Sequence, residues 1–140
     1  MTDLPERYRD AVQFAFGDTP ALKDELLALV LSGKKTATCG ALRDVKDAGE
    51  PMPEVGRRDV VLDGAGKPAA VIETTEVTIR RFDEVDEDFA RDEGEGDLSL
   101  ADWREGHEAF FARNGGFSPD MELICERFRL VETLGDDENA

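Results

Sequence analysis

The chain has few of the residues that staple or anchor a protein. Its 140 residues include only two cysteines, Cys39 and Cys125, which stand far apart without paired spacing. This pattern argues against a disulfide framework and against a zinc site. The sequence has no run of about 18 apolar residues, the length that a membrane-spanning helix requires, and it opens without the apolar segment of a secretory signal. We therefore expect a cytoplasmic protein that needs no metal or other cofactor and has no membrane partner.

Basic residues are also in short supply. The 33 Asp and Glu residues outnumber the 17 Lys and Arg residues, which gives a formal net charge of -16. Such a surface repels polyanions at long range, so duplex DNA is not an expected partner. A local cationic cleft for one nucleotide or a short single strand stays compatible with this charge. The length predicts a single domain over residues 1–134 and a polar, disordered tail over 135–140.

Periodicity and capping residues predict the order of helices and strands. Thr19 and Pro20 suit the start of a helix whose leucines repeat at helical spacing as far as Ser32, and Gly33 suits its end. Ser99 suits the start of a second long helix. Alternating or β-branched residues predict strands over 35–41, 60–62, 69–79 and 121–132, and a short helical stretch ends near residue 90. Residues 44–58 and 92–97 are predicted to be loops. This order indicates an α+β fold, a small curved sheet or β-barrel with peripheral helices.

The segment from Gly33 to Cys39 places two lysines and two threonines where the first helix gives way to a strand. A desolvated lysine can lose its proton and act as the base for a hydroxyl, which makes Lys35 and Thr38 a candidate pair. In a regular strand, residues three apart lie on opposite faces, so the pair converges only if the chain turns. The alternative is that both lysines merely complement the dipole at the end of the helix.

Two further groups have both a chemical and a structural interpretation. The acidic run of Glu93, Glu95 and Asp97 can present a carboxylate to a pocket, or it can be a solvated connection. His107 falls on the apolar face of the second long helix with Trp103, where packing is the commoner role. Exposed phenylalanines near residues 110–117 could stack on a base, although core packing is again the commoner role.

Taken together, these motifs resemble the ASCH domain family, whose fold is similar to the PUA RNA-binding barrel. The resemblance covers residues 12–131, nearly the whole chain. It rests on Phe16-Gly17-Asp18, Leu26-Leu27-Ala28-Leu29-Val30-Leu31-Ser32-Gly33-Lys34-Lys35-Thr36-Ala37-Thr38-Cys39, Val71-Ile72-Glu73-Thr74-Thr75-Glu76-Val77, Asp92-Glu93-Gly94-Glu95-Gly96-Asp97, Trp103-Arg104, His107 and Cys125-Glu126-Arg127-Phe128.

The resemblance implies a cleft for RNA or a nucleoside beside the Gly-x-Lys turn. Family members include RNA-binding modules, a proposed ribonuclease branch and small amidohydrolases that deacetylate N4-acetylcytidine. The lysine and threonine of the amidohydrolase turn match Lys35 and Thr38. Their glutamate matches Glu93 best, with Glu95 as the alternative. These matches imply that Lys35 is the base and Thr38 the nucleophile, while Glu93 orients the lysine or relays a proton.

The sequence departs from the family pattern at one position of the turn. Many members carry an arginine five residues after the lysine, where this chain has Gly40. Arg43 is the candidate to reach the same space, and Lys34 and Trp103 are further candidates for substrate binding. The first hypothesis is hydrolysis of an acylated nucleoside. The others are an RNA-binding module or ribonuclease for single strands, and a non-catalytic module that binds a small molecule or a protein.

Overall fold

The computed structural model describes residues 4–49, 52–94 and 98–134. Short 3-10 turns at Glu6–Tyr8 and Phe82–Glu84 accompany four helices and five strands within these ranges. In chain order the elements are β1 (Gln13–Phe14), α1 (Pro20–Leu31), β2 (Ala37–Ala41), α2 (Leu42–Ala48), β3 (Arg58–Leu62), β4 (Pro68–Arg81), α3 (Glu87–Glu93), α4 (Leu100–Arg113) and β5 (Glu122–Thr133). In the part of the chain so described, every helix is too short or too polar to cross a bilayer.

The five strands form one sheet in the order β1-β3-β4-β5-β2. The pair β1–β3 is parallel and the other three pairs are antiparallel. The register of β4 on β5 shifts twice, between Val71 and Ile72 and between Thr74 and Glu76, and such bulges increase strand twist. The predicted α+β class is confirmed. Closure into a barrel is not seen, since no ladder among the described residues joins the edge strands β1 and β2.

Two apolar clusters hold the helices against the sheet. One cluster joins α3 and α4 to β2 and β5, and its largest buried members are Phe82, Phe89, Trp103, Phe111 and Leu123. The other joins α1 to the opposite part of the sheet through Phe16, Leu26, Leu27, Val30, Ile72 and Phe128. Burial of each such side chain stabilises the fold by about 1.5–3 kcal/mol. The exit of α1 and the start of β2 lie between these clusters.

The helix starts follow the capping residues in the sequence. The Thr19 hydroxyl accepts a hydrogen bond from the Leu22 amide at 3.1 Å, and the Ser99 hydroxyl accepts one from the Asp102 amide at 3.1 Å. Gly33 adopts a φ of 85° just beyond α1, a left-handed conformation that glycine takes without steric cost. The predicted bounds of α1 and the predicted start of α4 are thereby confirmed.

Two loop predictions were wrong. Within the predicted loop 44–58, the helix α2 runs to Ala48, because Leu42 anchors it in the core and Gly49 ends it in a left-handed conformation with φ 68°. Glu93 belongs to α3 rather than to the acidic loop, since burial of Phe89 extends that helix past residue 90. Glu95, Asp97 and the predicted disordered tail, residues 135–140, lie outside the described residues.

Candidate active site

The exit of α1 turns the chain so that Lys35 and Thr38 reach the same space. The amides of Lys34 and Lys35 both donate to the Leu29 carbonyl, at 3.0 and 3.1 Å. Lys35 therefore stands before β2, which begins at Ala37, and the alternation of the strand does not apply to it. The turn that the sequence required for convergence is present, and both side chains line one cavity.

Lys35 is almost completely buried, with 1% of its surface exposed. Its Nζ donates to Glu93 Oε1 at 2.7 Å, to the Ala37 carbonyl at 2.9 Å and to the Glu93 carbonyl at 3.3 Å. The last carbonyl lies at the C-terminus of α3, the end of a helix that attracts cations. An ammonium group out of water needs an ionic partner and hydrogen-bond acceptors, and these contacts supply both.

Glu93 is equally buried and joins three side chains. Besides Lys35, it accepts from Trp103 Nε1 at 3.0 Å through Oε2, and His107 Nε2 lies 3.4 Å from the same oxygen. Burial of the carboxylate opposes ionisation, but the charge of Lys35 and the hydrogen bond from His107 outweigh it and hold the pKa of Glu93 well below its usual range. The resting site therefore contains a carboxylate.

Close backbone packing brings residues 58 positions apart into contact. Gly94 has a φ of 73°, and a Cβ atom there would lie 2.2 Å from the Lys34 carbonyl oxygen. Only a glycine allows this approach of the two backbones. The Thr36 amide also donates to the Asp92 carbonyl at 2.7 Å. The end of α3 is thus fixed against the start of β2, which places the Glu93 carboxylate on Lys35.

Helix α4 supplies the remaining wall through two residues one turn apart. The rings of Trp103 and His107 stack with their centroids 4.3 Å apart. The Phe82 ring also contacts Trp103, and the centroids of these two rings are 5.2 Å apart. His107 packs against Trp103 as the sequence predicts, but its Nε2 also contacts Glu93, a contact that the apolar pattern of α4 does not predict. Trp103 carries a ring N–H donor and stands four residues before His107, so both side chains lie on one face of α4. This spacing was the feature of the sequence that could have indicated a shared contact with the acidic segment.

The Lys35–Glu93 pair forms part of the wall of a cavity of about 400 Å³. Thr38 is half-buried in the same wall. Aromatic side chains and residues of α1 and α4 complete the lining, including Phe16, Leu26, Trp103, Gly106, His107 and Phe110. A buried ammonium–carboxylate pair, a hydroxyl and flat apolar surfaces thus meet in one concavity. This combination suits chemistry on a planar, uncharged ligand.

Cys39 lies beside this pair but does not have the character of a nucleophile. Burial first, and the nearby Glu93 carboxylate second, raise the pKa of its thiol well above the ordinary value. Ligand atoms of Cys39, Glu93 and His107 lie within 4.8 Å of one another. A metal ion there would compete with the Lys35 ammonium for the Glu93 carboxylate, so the cluster is better suited to hydrogen bonding than to metal binding.

The other predicted binding residues lie in different places. Trp103 lines the cavity, whereas Lys34 is exposed and Arg43 donates to the Gly116 carbonyl at 2.6 Å. Neither of these two cations is among the described residues that line the cavity. Glu95 falls outside the described residues, so Glu93 is the carboxylate that the structure places on Lys35. The functional roles of all these residues stay predictions.

Comparisons with known proteins identify a family and two similar solved structures. The family model of the ASCH domain matches residues 12–132. A crystal structure of a protein from Enterococcus faecalis V583 superposes with a TM-score of 0.83 at 37% identity, covering 92% of this chain and 81% of that one. An ASCH domain from Lactobacillus crispatus JV V101 gives a TM-score of 0.79 at 37% identity and covers 86% of this chain and 79% of its own.

More distant structures share the fold alone. An ASCH protein from Zymomonas mobilis superposes with a TM-score of 0.54 at 10% identity, covering 91% of this chain and 73% of that one. A comparison with curated proteins found no match. The family model spans most of the chain, and the sequence motifs and the α+β architecture agree with it. The chain therefore belongs to the ASCH domain family.

Proposed function

We propose that the protein hydrolyses the amide of an acylated nucleoside such as N4-acetylcytidine. In this proposal Thr38 is the nucleophile, Lys35 is its base, and Glu93 orients the lysine and exchanges a proton with it. The observation that carries the proposal is the buried Lys35–Glu93 pair, 2.7 Å apart, in the wall of a cavity that Thr38 also lines. Removing two charges from water is costly, and ionisable groups buried in this way cluster at functional sites.

Proton transfer within the pair gives Lys35 the neutral form that a base requires. The resting pair is charged, because the pKa of Glu93 lies below its usual range. Both side chains are already shielded from water, and burial penalises a charged pair more strongly than a neutral one, which lowers the free-energy cost of a neutral lysine. Passage of one proton from Nζ to Oε1 along the 2.7 Å hydrogen bond yields an amine and a carboxylic acid. Trp103 and His107 hold the other carboxylate oxygen in place during this exchange.

The reaction then proceeds as two acyl transfers. The Thr38 oxygen forms a bond to the acyl carbon while its proton passes to Lys35. The bond from that carbon to nitrogen breaks, and the leaving amine takes the proton from the Lys35 ammonium. Water attacks the resulting Thr38 ester with Lys35 again as the base, which releases the carboxylic acid and restores the hydroxyl. No oxidant, reductant or second substrate other than water is needed.

The position of the cations supports a nucleoside rather than long RNA as the ligand. A module for single-stranded RNA needs cations that follow the phosphate backbone. Lys34 and Arg43, the candidates for that role, stand apart from the described lining of the cavity, and Arg113, which does line it, is bound to Asp18. The flat surfaces of Phe16 and Phe110 suit a planar base instead.

Incubation with N4-acetylcytidine, followed by chromatography of the products, tests the proposal. We expect the wild-type protein to form cytidine. Thr38→Val should lower the rate of hydrolysis by at least about 100-fold, because nucleophilic and acid–base catalysis each accelerate a reaction by orders of magnitude. Thr36→Val is the matched control, since Thr36 is an exposed neighbour outside the described cavity lining. Absence of cytidine with the wild-type protein, or equal activity of the two variants, would reject the proposal.

A further inference from the structure

A second cavity, of about 420 Å³, opens on the other side of Thr38. Residues of both edge strands line it, from Phe14 in β1 and from Thr38 to Ala41 in β2. It therefore lies between residues of the two edge strands of the open sheet. The two cavities share five lining residues, namely Phe16, Gly17, Thr38, Cys39 and Phe110. A ligand whose reacting atom lies at Thr38 can thus extend into both.

The second cavity contains polar groups that the proposed reaction does not use. Glu126 is the direct cross-strand neighbour of Thr38, so their side chains stand side by side on one face of the sheet. Glu126 Oε1 accepts from Thr74 Oγ1 at 3.3 Å. Arg57 binds Asp59 through two hydrogen bonds of 2.8 Å, and Asp59 is buried. These groups stand where the part of a substrate beyond the reacting bond would lie.

The charge of this cavity is acidic. Asp44, Asp59 and Glu126 are among its described lining residues, and the cation among them is Arg57, which is already held by Asp59. Burial, and then the neighbouring Asp59 charge, raise the pKa of Glu126, which indicates that further negative charge is unfavourable here. A phosphate group in this space would meet carboxylates, whereas hydroxyl and amine groups would find acceptors.

We propose that the second cavity is the subsite for the leaving group, and that it selects an uncharged, hydroxyl-bearing group such as a ribose and rejects a phosphorylated one. Glu126 is the specificity-determining residue because it is the cross-strand neighbour of Thr38 and presents an acceptor to the second cavity. The assignment of this cavity to the leaving group rests on the proposed function. Its selectivity between a nucleoside and a nucleotide is a property of binding and can be measured without turnover.

Fluorescence of Trp103, the chain's single tryptophan, can report binding because its ring lines the adjoining cavity. Titration with cytidine and with cytidine 5′-monophosphate at low salt measures the selectivity. We expect cytidine to bind at least about tenfold more tightly, the size of effect that one or two unscreened like charges produce in a partly buried site. Equal or tighter binding of the monophosphate, or no binding of either compound, would overturn the proposal.

Two variants and one control connect the selectivity to the cavity. Glu126→Gln should bring the ratio of the two dissociation constants closer to one, because it removes a negative charge and keeps an acceptor. Gly40→Arg should bring this ratio still closer to one, because it adds a positive charge to the cavity. Gly40 lines the cavity, and a Cβ atom there meets nothing within 4 Å, so the side chain has space. Glu122→Gln removes the same charge from an exposed position of β5 outside the described lining and should leave the ratio unchanged.

The outcomes separate this proposal from the proposed function. Failure to hydrolyse N4-acetylcytidine, together with preferential binding of cytidine that Glu126→Gln weakens, would reject the reaction and support the selective cavity. Hydrolysis by the wild-type protein with the same selectivity in Glu126→Gln as in the wild type would reject Glu126 as the selecting residue. An equal response of Glu122→Gln would show a general charge effect and would also overturn the proposal.

Discussion

The buried Lys35–Glu93 pair makes a prediction about stability that does not depend on any substrate. Replacement of one partner leaves the other charge in a space where both side chains are 1% exposed. Such losses typically cost about 3–5 kcal/mol, because an isolated buried charge keeps its desolvation penalty without its counterion. We expect Lys35→Met and Glu93→Gln each to fall in this range. The glutamine cannot offer an acceptor oxygen to both Lys35 and Trp103, which adds to the cost of the second variant.

The double variant should lose much less than the sum of the two single losses. With neither charge present, the remaining cost is packing and the hydrogen bonds that Lys35 Nζ no longer makes, so a coupling energy of at least about 2 kcal/mol is expected. The surface pair Arg58–Glu73, with side chains 45% and 22% exposed, is the control. Its equivalent double-mutant cycle should give a coupling of at most about 1 kcal/mol.

Urea unfolding, followed by Trp103 fluorescence and by far-UV circular dichroism, gives the free energies. Trp103 is 4% exposed and bonded to Glu93, so its emission reports the site, whereas the dichroism reports the whole chain. Coincidence of the two transitions justifies a two-state treatment. The two charges do not stabilise each other if the loss in the Lys35→Met/Glu93→Gln double variant equals the sum of the two single losses within about 0.5 kcal/mol. That result would refute the argument.

The same pair sets an expected pH dependence. The pKa of Glu93 in the folded protein is lowered from its ordinary value, while in the unfolded chain it is near 4.3. The unfolded state therefore binds the proton more readily, so the stabilising contribution is fully present above about pH 5 and declines as the pH falls below that value. The difference in stability between the wild type and Glu93→Gln should therefore shrink as the pH falls below about 5.

Two more predictions concern the residues around the pair. Gly94→Ala should destabilise the protein by at least about 2–3 kcal/mol more than Gly49→Ala, because both glycines have positive φ but only at Gly94 would a Cβ atom meet backbone; equal losses in urea unfolding would contradict the close approach. Cys39 and Cys125 should react with iodoacetamide at pH 8 at least about tenfold more slowly in the native protein than in urea, because burial raises both thiol pKa values, that of Cys125 to about 12. Labelling of either native thiol at the unfolded rate, measured by mass spectrometry, would show that it is not protected.

Local chemistry predicted the helix boundaries because the signals act within a few residues. Thr19, Ser99 and Gly33 cap their helices through contacts three or four positions away, and the structure contains those contacts. The helix α2 was not predicted because its stability comes from the burial of Leu42 in the tertiary core. The prolines and glycines further along the same segment are typical of a loop. Tertiary burial in this case overrode the local pattern.

The site was predictable in its members but not in its connections. Lys35 and Thr38 stand in one segment, so their spacing could suggest a pair, and the family resemblance named Glu93 as the partner. Periodicity carries no information about a contact 58 residues apart, and this one depends on the close approach at Gly94. The contact of His107 with Glu93 likewise follows from how α4 packs on α3 rather than from the apolar pattern of α4.

The departure from the family pattern at Gly40 acquires a physical meaning in the second cavity. Many family members carry an arginine at this position, and the guanidinium of Arg43, the candidate to reach the same space, is bound to the Gly116 carbonyl. Gly40 lines the cavity whose carboxylates include Asp59 and Glu126. A cation at this position would neutralise those acids and favour a phosphate. The absence of a cation there leaves the cavity acidic, and this is the electrostatic basis of the proposed preference for an uncharged nucleoside.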